Sequence, residues 1–165
     1  MGDRFKDNGD GTVTDAETGL MWKQKDSYLD LKKFISFTAA KKYVKKINEE
    51  AFAGFSDWRM PSKQEAHSLF YPDKDKAIED KYEMAVYIDP VFTEGCGYDT
   101  WTSQTRGRIT AYVYSFGSGS GGHKEVDDQL NTSLRLVRGT IIPESAAAKN
   151  KKIPARRGMY LTDQR

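Results

Sequence analysis

Residues 57–65, with the sequence DWRMPSKQE, constrain the fold more than any other part of this chain. Pro61 fixes its own φ and disfavours a helical conformation at the residue before it, so the chain reaches Pro61 extended. Ser62 and Glu65 have the spacing of a capping box, in which each side chain accepts a hydrogen bond from the other residue's amide. The stretch therefore predicts a corner at which an extended segment ends and a helix through Leu69 begins.

Apolar and charged side chains alternate within this corner. Trp58 and Met60 belong to one face, and Asp57 and Arg59 belong to the other. We predict that Trp58 fills the core, and that Asp57 and Arg59 bind each other or neighbouring backbone. The corner is interpreted as a structural element, and the function is expected elsewhere in the chain.

The chain before the corner predicts a β-meander and one helix. In residues 5–22, short β-branched or aromatic runs alternate with the turn signals NGDG and DAETG. In residues 23–35 the apolar residues recur at no clear period. From about Ser36, apolar residues recur at helical spacing with lysines on the opposite side, and Gly54 is the predicted cap of this helical region. The lysines are interpreted as a solvated face.

The first turns contain three carboxylates, which suggest a calcium-binding site as an alternative to a purely structural turn. They belong to Asp7, Asp10 and Asp15. An EF-hand loop needs oxygen ligands at its positions 1, 3 and 5. Counted from Asp7, the later two positions fall on Gly9 and Gly11. We favour a structural turn, and the calcium alternative stays open at this point.

The chain after the corner predicts further strands. Residues 73–83 are almost entirely charged and are interpreted as a surface insertion, whereas residues 98–103, 111–116 and 134–139 have strand-like composition. A phosphate-binding loop would need a Gly-Lys-Ser/Thr sequence after its glycines. Because none follows residues 117–122, we predict that this glycine-rich stretch is a mobile hairpin loop.

Composition limits the classes of function. A net charge of +2 gives no argument for nucleic acid, and Cys96 alone can form neither an intrachain disulfide nor a cysteine-rich metal site. His67 and His123 lack the spacing of zinc ligands, and neither lies beside a recognisable nucleophile. We therefore predict no catalytic residue, no metal and no cofactor.

No segment is long and apolar enough for membrane insertion, and no signal-peptide core is present near the amino terminus.

We predict one domain over residues 1–142 and a basic tail over residues 143–165. A chain of 165 residues can bury enough apolar surface to fold without disulfides or metal. Beyond Pro143 the composition changes to alanine, lysine and arginine.

Five blocks, in order, resemble a bacterial family named after the C-terminal domain of the collagen-like adhesin Lcl. They cover residues 4–15, 18–22, 54–62, 101–103 and 136–139. All three tryptophans lie inside them. The residues that carry this resemblance, and that we expect to be structural, are Trp22, Asp57, Trp58, Arg59, Pro61, Trp101 and Arg138.

The resemblance implies an α+β, C-type-lectin-like fold with two helices on a twisted, mainly antiparallel sheet and long loops. The family is also distantly similar to the formylglycine-generating-enzyme group. Those enzymes use a cysteine pair and this chain has only Cys96, so their activity is not implied. The motifs of calcium-dependent sugar-binding lectins are also missing. A secreted, periplasmic or cell-surface location is what the resemblance favours.

We expect a non-enzymatic recognition domain that binds a glycan or a protein surface through loops and late strands. The family's adhesin is associated with sulfated polysaccharides, which suggests an anionic glycan. The expected binding residues are Arg106, Arg108, Tyr112, Tyr114, His123 and Lys124. Arginine and tyrosine offer large, rigid area and directional donors.

Three alternatives remain open. Both tyrosines can equally belong to the core, because strand alternation alone does not tell which face is exposed. The domain can be a structural module of a surface or phage-tail assembly. It can also be a relative of the formylglycine-generating enzymes.

Overall fold

The structure is a computed structural model that describes residues 3–140. The predicted basic tail at residues 143–165 lies outside the described residues. Within residues 3–140, none of the helices has the length and apolar character needed to cross a membrane.

The described chain contains three α-helices and nine β-strands. The helices are α1 (Ser27–Leu31), α2 (Phe37–Glu49) and α3 (Lys63–Leu69). The strands are β1 (Phe5–Asp7), β2 (Thr12–Asp15), β3 (Met21–Lys23), β4 (Ile78–Glu79), β5 (Ala85–Val86), β6 (Asp99–Arg106), β7 (Thr110–Ser115), β8 (Ser120–Glu125) and β9 (Val137–Arg138). Short 3-10 turns occupy Phe52–Gly54 and Lys74–Lys76.

These strands form three antiparallel sheets. The first has the order β1-β2-β3-β9, so the last strand returns to the opening meander. Strands β4 and β5 form a hairpin, and β6, β7 and β8 form the third sheet. The predicted α+β class and the predicted meander are confirmed, whereas the C-type-lectin-like assignment stays a prediction.

Two helices start where the sequence predicts. The Ser36 hydroxyl accepts from the amide of Ala39 and begins α2. At the corner, the Ser62 hydroxyl accepts from the Glu65 amide at 3.0 Å, and the Glu65 carboxylate accepts from the Ser62 amide at 2.8 Å. The capping box predicted from the sequence is therefore complete.

Two stretches contain elements that their sequences did not indicate, and two further expectations were wrong. Helix α1 lies in the stretch without a clear period, because its start depends on the Asp26 cap and its length is only five residues. Gly54 does not cap α2, which ends at Glu49. The charged insertion, residues 73–83, contains β4, which pairs with β5 just beyond it, and Ile78 is 2% exposed. The glycine-rich stretch is not wholly a loop, since β8 begins at Ser120 and pairs with β7.

The core consists of two clusters of buried side chains. One lies around Trp22, Phe70 and Phe92, between the opening meander, α3 and the β4–β5 region. The other packs α2 against Trp58 and Trp101. All three tryptophans are at most 2% exposed.

Of the two alternatives predicted for Asp57 and Arg59, binding to each other was wrong, whereas binding to neighbouring backbone holds for Arg59, which donates to the Met60 carbonyl at 3.2 Å. Arg59 binds the Glu65 carboxylate and donates to the Gly139 carbonyl at 2.6 Å. Asp57 binds Arg138 instead, at 2.6 and 3.1 Å. The corner is therefore attached to the end of β9, which no local pattern in residues 57–65 specifies.

Candidate functional site

The β6–β7–β8 sheet has two faces with different surroundings. One face carries Trp101, Ala111 and Val113, which belong to the core beside α2. The opposite face carries Tyr112 and Tyr114, because side chains alternate along a strand. Cross-strand pairing puts Arg106 opposite Thr110 and His123 opposite Tyr112, so these residues share the face of the tyrosines.

Helix α3 covers only part of this tyrosine face. Its His67 ring lies 5.5 Å from the Tyr114 ring and shares a 2.7 Å hydrogen bond with the Tyr114 hydroxyl. Tyr114 also packs on Phe116 and is 4% exposed. Tyr112 lies beyond this covered part and is half-buried. The two tyrosines share a face, but only Tyr112 is available to a ligand.

We call the open part the Tyr112 surface, defined by Lys63, Gln104, Arg106, Tyr112 and His123. The Lys63 ammonium lies 4.3 Å from the centre of the Tyr112 ring. The His123 ring meets the same ring edge-on at 5.8 Å. Gln104 accepts from the Lys63 amide at 3.0 Å, which joins the start of α3 to β6. An aromatic ring is therefore held between two nitrogen-bearing side chains.

Arg106 and Arg108 lie at the exposed end of this sheet. Arg106 ends β6, opposite Thr110, and Arg108 lies in the turn that follows. Gly107 forms that turn with φ of 68°, a backbone conformation that glycine adopts without strain. Glu125 pairs with Thr110 from the other side, so one carboxylate lies in the same row as Arg106.

Lys124 does not join the Tyr112 surface. It follows His123 in β8, so its side chain lies on the opposite face, where its ammonium binds Asn131 and Thr132 at 2.6 Å each. The Asp99 carboxylate lies 3.3 Å from the same ammonium. Burial raises the pKa of Asp99, and Lys124 opposes that rise only in part. Lys124 therefore serves a buried polar cluster.

Trp101 is also inaccessible to a ligand, because its side chain lies in the core. Its indole nitrogen donates to the Ile35 carbonyl at 2.9 Å, and its ring packs edge-on against Phe37. The side chain is fully buried. It fixes β6 against the start of α2.

The structure thus brings together some of the residues predicted from the sequence. Arg106, Tyr112 and His123 lie on one open face with Arg108 in the adjoining turn, whereas Tyr114 and Lys124 are engaged elsewhere. Lys63 and Gln104 were missed. Their contribution depends on how α3 packs on β6, and the sequence gives no signal of that contact.

The carboxylates of the opening turns bind protein donors. Asp7 accepts from the Gly9 amide, and Asp10 accepts from the amide and hydroxyl of Thr12. Asp15 forms a two-bond ion pair with Arg4. Within residues 3–140, no three His, Cys, Asp or Glu side chains cluster in a way that could hold a metal ion.

Cys96 is buried, and burial raises the pKa of its thiol to about 11. A thiol with this pKa is protonated at neutral pH and is a weak nucleophile.

A comparison with protein families matches residues 11–138 to the model of the Lcl C-terminal domain. Among curated proteins, no significant match to the chain is found. The matched residues begin in the opening turn and end at Arg138, the partner of Asp57, so they contain the corner and the third sheet. The chain therefore belongs to the family of Lcl C-terminal domains.

Proposed function

We propose that this domain is a non-enzymatic recognition module that binds a glycan through the Tyr112 surface and the adjoining Arg108 turn. The observation that carries the proposal is the half-buried Tyr112 ring, held between Lys63 and His123 on the open part of a rigid sheet. A ring fixed in this way loses little conformational freedom when a ligand packs on it.

The charges at this surface favour an anionic glycan over a neutral one. Lys63, Arg106 and Arg108 supply three cations, and Glu125 supplies one carboxylate. Arginine forms two parallel hydrogen bonds with sulfate-like or carboxylate groups, which gives direction as well as attraction. Exposed charges of this kind act over about 10 Å at moderate salt, so the affinity should fall as salt rises.

This function goes with adhesion at a cell surface, the role that the resemblance to the adhesin's domain suggests. It requires no metal and no bond-making step from the chain. A protein with an acidic surface is the second partner class, because the same cations and the same tyrosine suit it.

A binding assay with immobilised dextran sulfate, and uncharged dextran as the reference, tests the proposal. We expect the wild-type chain to bind dextran sulfate in a salt-dependent manner. The double variant Arg106→Gln/Arg108→Gln should bind at least about tenfold more weakly, since charge-assisted hydrogen bonds contribute about 1.5–3 kcal/mol. Tyr112→Ala should weaken binding to a similar extent.

The matched control is Lys42→Gln/Lys46→Gln, which removes two exposed cations from α2, away from the Tyr112 surface. It changes the net charge by the same amount and should retain wild-type binding. Equal losses in both double variants would reduce the effect to net charge and refute the site. No binding of dextran sulfate by the wild type refutes the anionic-glycan proposal.

A further inference from the structure

A second feature, remote from the Tyr112 surface, is a shallow cleft of about 680 Å³ between the opening meander and the segment after β5. Gln24, Phe92 and Thr93 contribute to its wall, and Asp7 and Glu94 add exposed carboxylates.

The Arg135 guanidinium lies directly behind two residues of this wall. Its Nη1 is 3.4 Å from the Gln24 carbonyl oxygen, and its central carbon is 5.1 Å from the centre of the Phe92 ring. The residue is 1% exposed, and Nη2 has no hydrogen-bond partner. The positively charged guanidinium is thus buried, and the N–H groups of its Nη2 donate no hydrogen bond.

No carboxylate forms a close ion pair with Arg135 in the part of the chain that the structure describes. None of the ion pairs between residues 3 and 140 includes Arg135. Asp26 accepts from two amides and a hydroxyl, and Asp80 accepts from two amides of its own turn, with its other oxygen unbonded. The Cys96 thiol lies close to Arg135. Burial raises the pKa of this thiol to about 11 and outweighs the effect of Arg135, which lowers that pKa, so the thiol is neutral at pH 7.

A buried guanidinium edge without a hydrogen-bond acceptor is unfavourable, because the desolvation of its N–H groups is not repaid by a hydrogen bond. An anion that reaches Nη2 would remove this cost. We propose that Arg135 and the adjacent cleft form a site for a small monocarboxylate, whose carboxylate binds Nη2 after the Phe92 side chain moves aside.

The chemistry of the site favours a monocarboxylate over a sulfate or phosphate. A planar carboxylate matches the geometry of the guanidinium edge. Asp7 and Glu94 repel multiply charged anions, and they favour a ligand that also carries an ammonium group, such as a free amino acid. This site is therefore separate in chemistry, as well as in position, from the cationic Tyr112 surface.

Titrations of the full chain with sodium acetate, glycine and sodium sulfate, each at constant sodium and with chloride as the balance, test the proposal. We expect saturable changes in the amide NMR signals of Gln24 and Thr93 with acetate and glycine, and weaker changes with sulfate. Arg135→Met should weaken acetate binding by about tenfold or more, because a charge-assisted bond is lost. Glu94→Gln should strengthen it by about twofold, because an exposed like charge is removed.

Lys46→Gln is the matched control, because it removes an exposed cation of α2, which contributes no residue to the cleft, and should leave the acetate-dependent changes at Gln24 and Thr93 as in the wild type. If Arg135→Met does not fold, the signals of the wild type and of Glu94→Gln decide. The proposal is overturned if acetate changes no signal near Gln24 and Thr93, if the changes never saturate, or if Glu94→Gln weakens them. Retained binding in a folded Arg135→Met variant would overturn it as well.

Discussion

Arg59 binds Glu65 through two parallel hydrogen bonds of 2.8 and 2.7 Å, and the same Glu65 carboxylate caps α3 at the Ser62 amide. Glu65 is 6% exposed, so little water reaches its carboxylate. The Arg59 guanidinium and the Ser62 amide compensate its charge instead. One carboxylate thus connects the extended segment before Pro61 with the helix after it.

Glu65→Gln should lower the free energy of unfolding by about 2 kcal/mol, because it removes charge-assisted bonds from a buried group. Urea unfolding at pH 7 measures this change. Glu49→Gln, which alters an exposed carboxylate paired with Lys45, is the control and should cost less than about 0.5 kcal/mol. Equal costs for the two variants would contradict the central role of Glu65.

The stability of the domain should decline in acid, in part through Glu65. Burial opposes ionisation of this carboxyl, but the bonds from Arg59 and Ser62 outweigh it and lower its pKa below the ordinary value of 4.5. Arg138 likewise lowers the pKa of Asp57. A lowered folded pKa means that the stabilisation is complete above the unfolded pKa and is lost as pH falls through the folded pKa.

Unfolding measured from pH 6 down to about pH 2 should therefore show a shallower decline for Glu65→Gln than for the wild type. Parallel curves for the two proteins would mean that Glu65 does not contribute to acid sensitivity. Asp57→Asn should also flatten the curve.

Asp99→Asn should cost less stability at pH 7 than Glu65→Gln, although it leaves the Lys124 ammonium without an opposite charge. Burial raises the pKa of Asp99, so its ionised form is less favourable in the folded chain than in water. The Lys124 ammonium would keep its bonds to Asn131 and Thr132. Urea unfolding compares the two variants, and a larger loss for Asp99→Asn would show that its pair with Lys124 outweighs burial.

Gly119→Ala should be more destabilising than Gly107→Ala. Both glycines have φ near 70°, at 75° and 68°, so both substitutions carry a similar backbone strain of about 1 kcal/mol. A Cβ at Gly119 would lie 2.5 Å from the Phe70 ring, whereas a Cβ at Gly107 would meet nothing within 4 Å. The difference in melting temperature therefore isolates the clash, which we expect to add about 1–3 kcal/mol. Equal melting temperatures would refute the close packing of the β7–β8 turn on the Phe70 ring, which follows α3.

Trp58→Ala should reduce stability by about 3–5 kcal/mol, because it removes a large side chain that is 2% exposed. The milder Trp58→Phe keeps most of the volume but loses the 3.1 Å bond to the Phe52 carbonyl. We expect Trp58→Phe to melt earlier and to bind dextran sulfate as the wild type does. A Trp58 variant that melts as the wild type does but no longer binds would show that residues 57–65 take part in binding.

The parts of the fold that could be predicted are those with local signals. The capping box at Ser62 and Glu65 and the Ser36 cap each depend on residues within a few positions of one another. The partners of Asp57 and Arg59 could not be predicted in the same way. Arg138 lies 81 residues beyond Asp57, and the Gly139 carbonyl lies 80 residues beyond Arg59.

The candidate site shows the same limit. Alternation in β7 places Tyr112 and Tyr114 on one face, but α3 decides which of the two is covered. Lys124 was grouped with His123 because they are neighbours in sequence. In a strand, adjacent side chains lie on opposite faces, so the pairing of β7 with β8 separates them.

The attachment of β9 to the corner has a mechanical consequence. Tension that enters the backbone at Gly139 first loads the bonds of Arg59 and Arg138, and then the pairing of β9 with β3. This path runs into the opening meander, whereas the Tyr112 surface belongs to a different sheet. A pull on this end of the domain would load its first and last strands before it reaches the sheet that carries Tyr112, which the chain joins at Ser133 through the Trp101 amide.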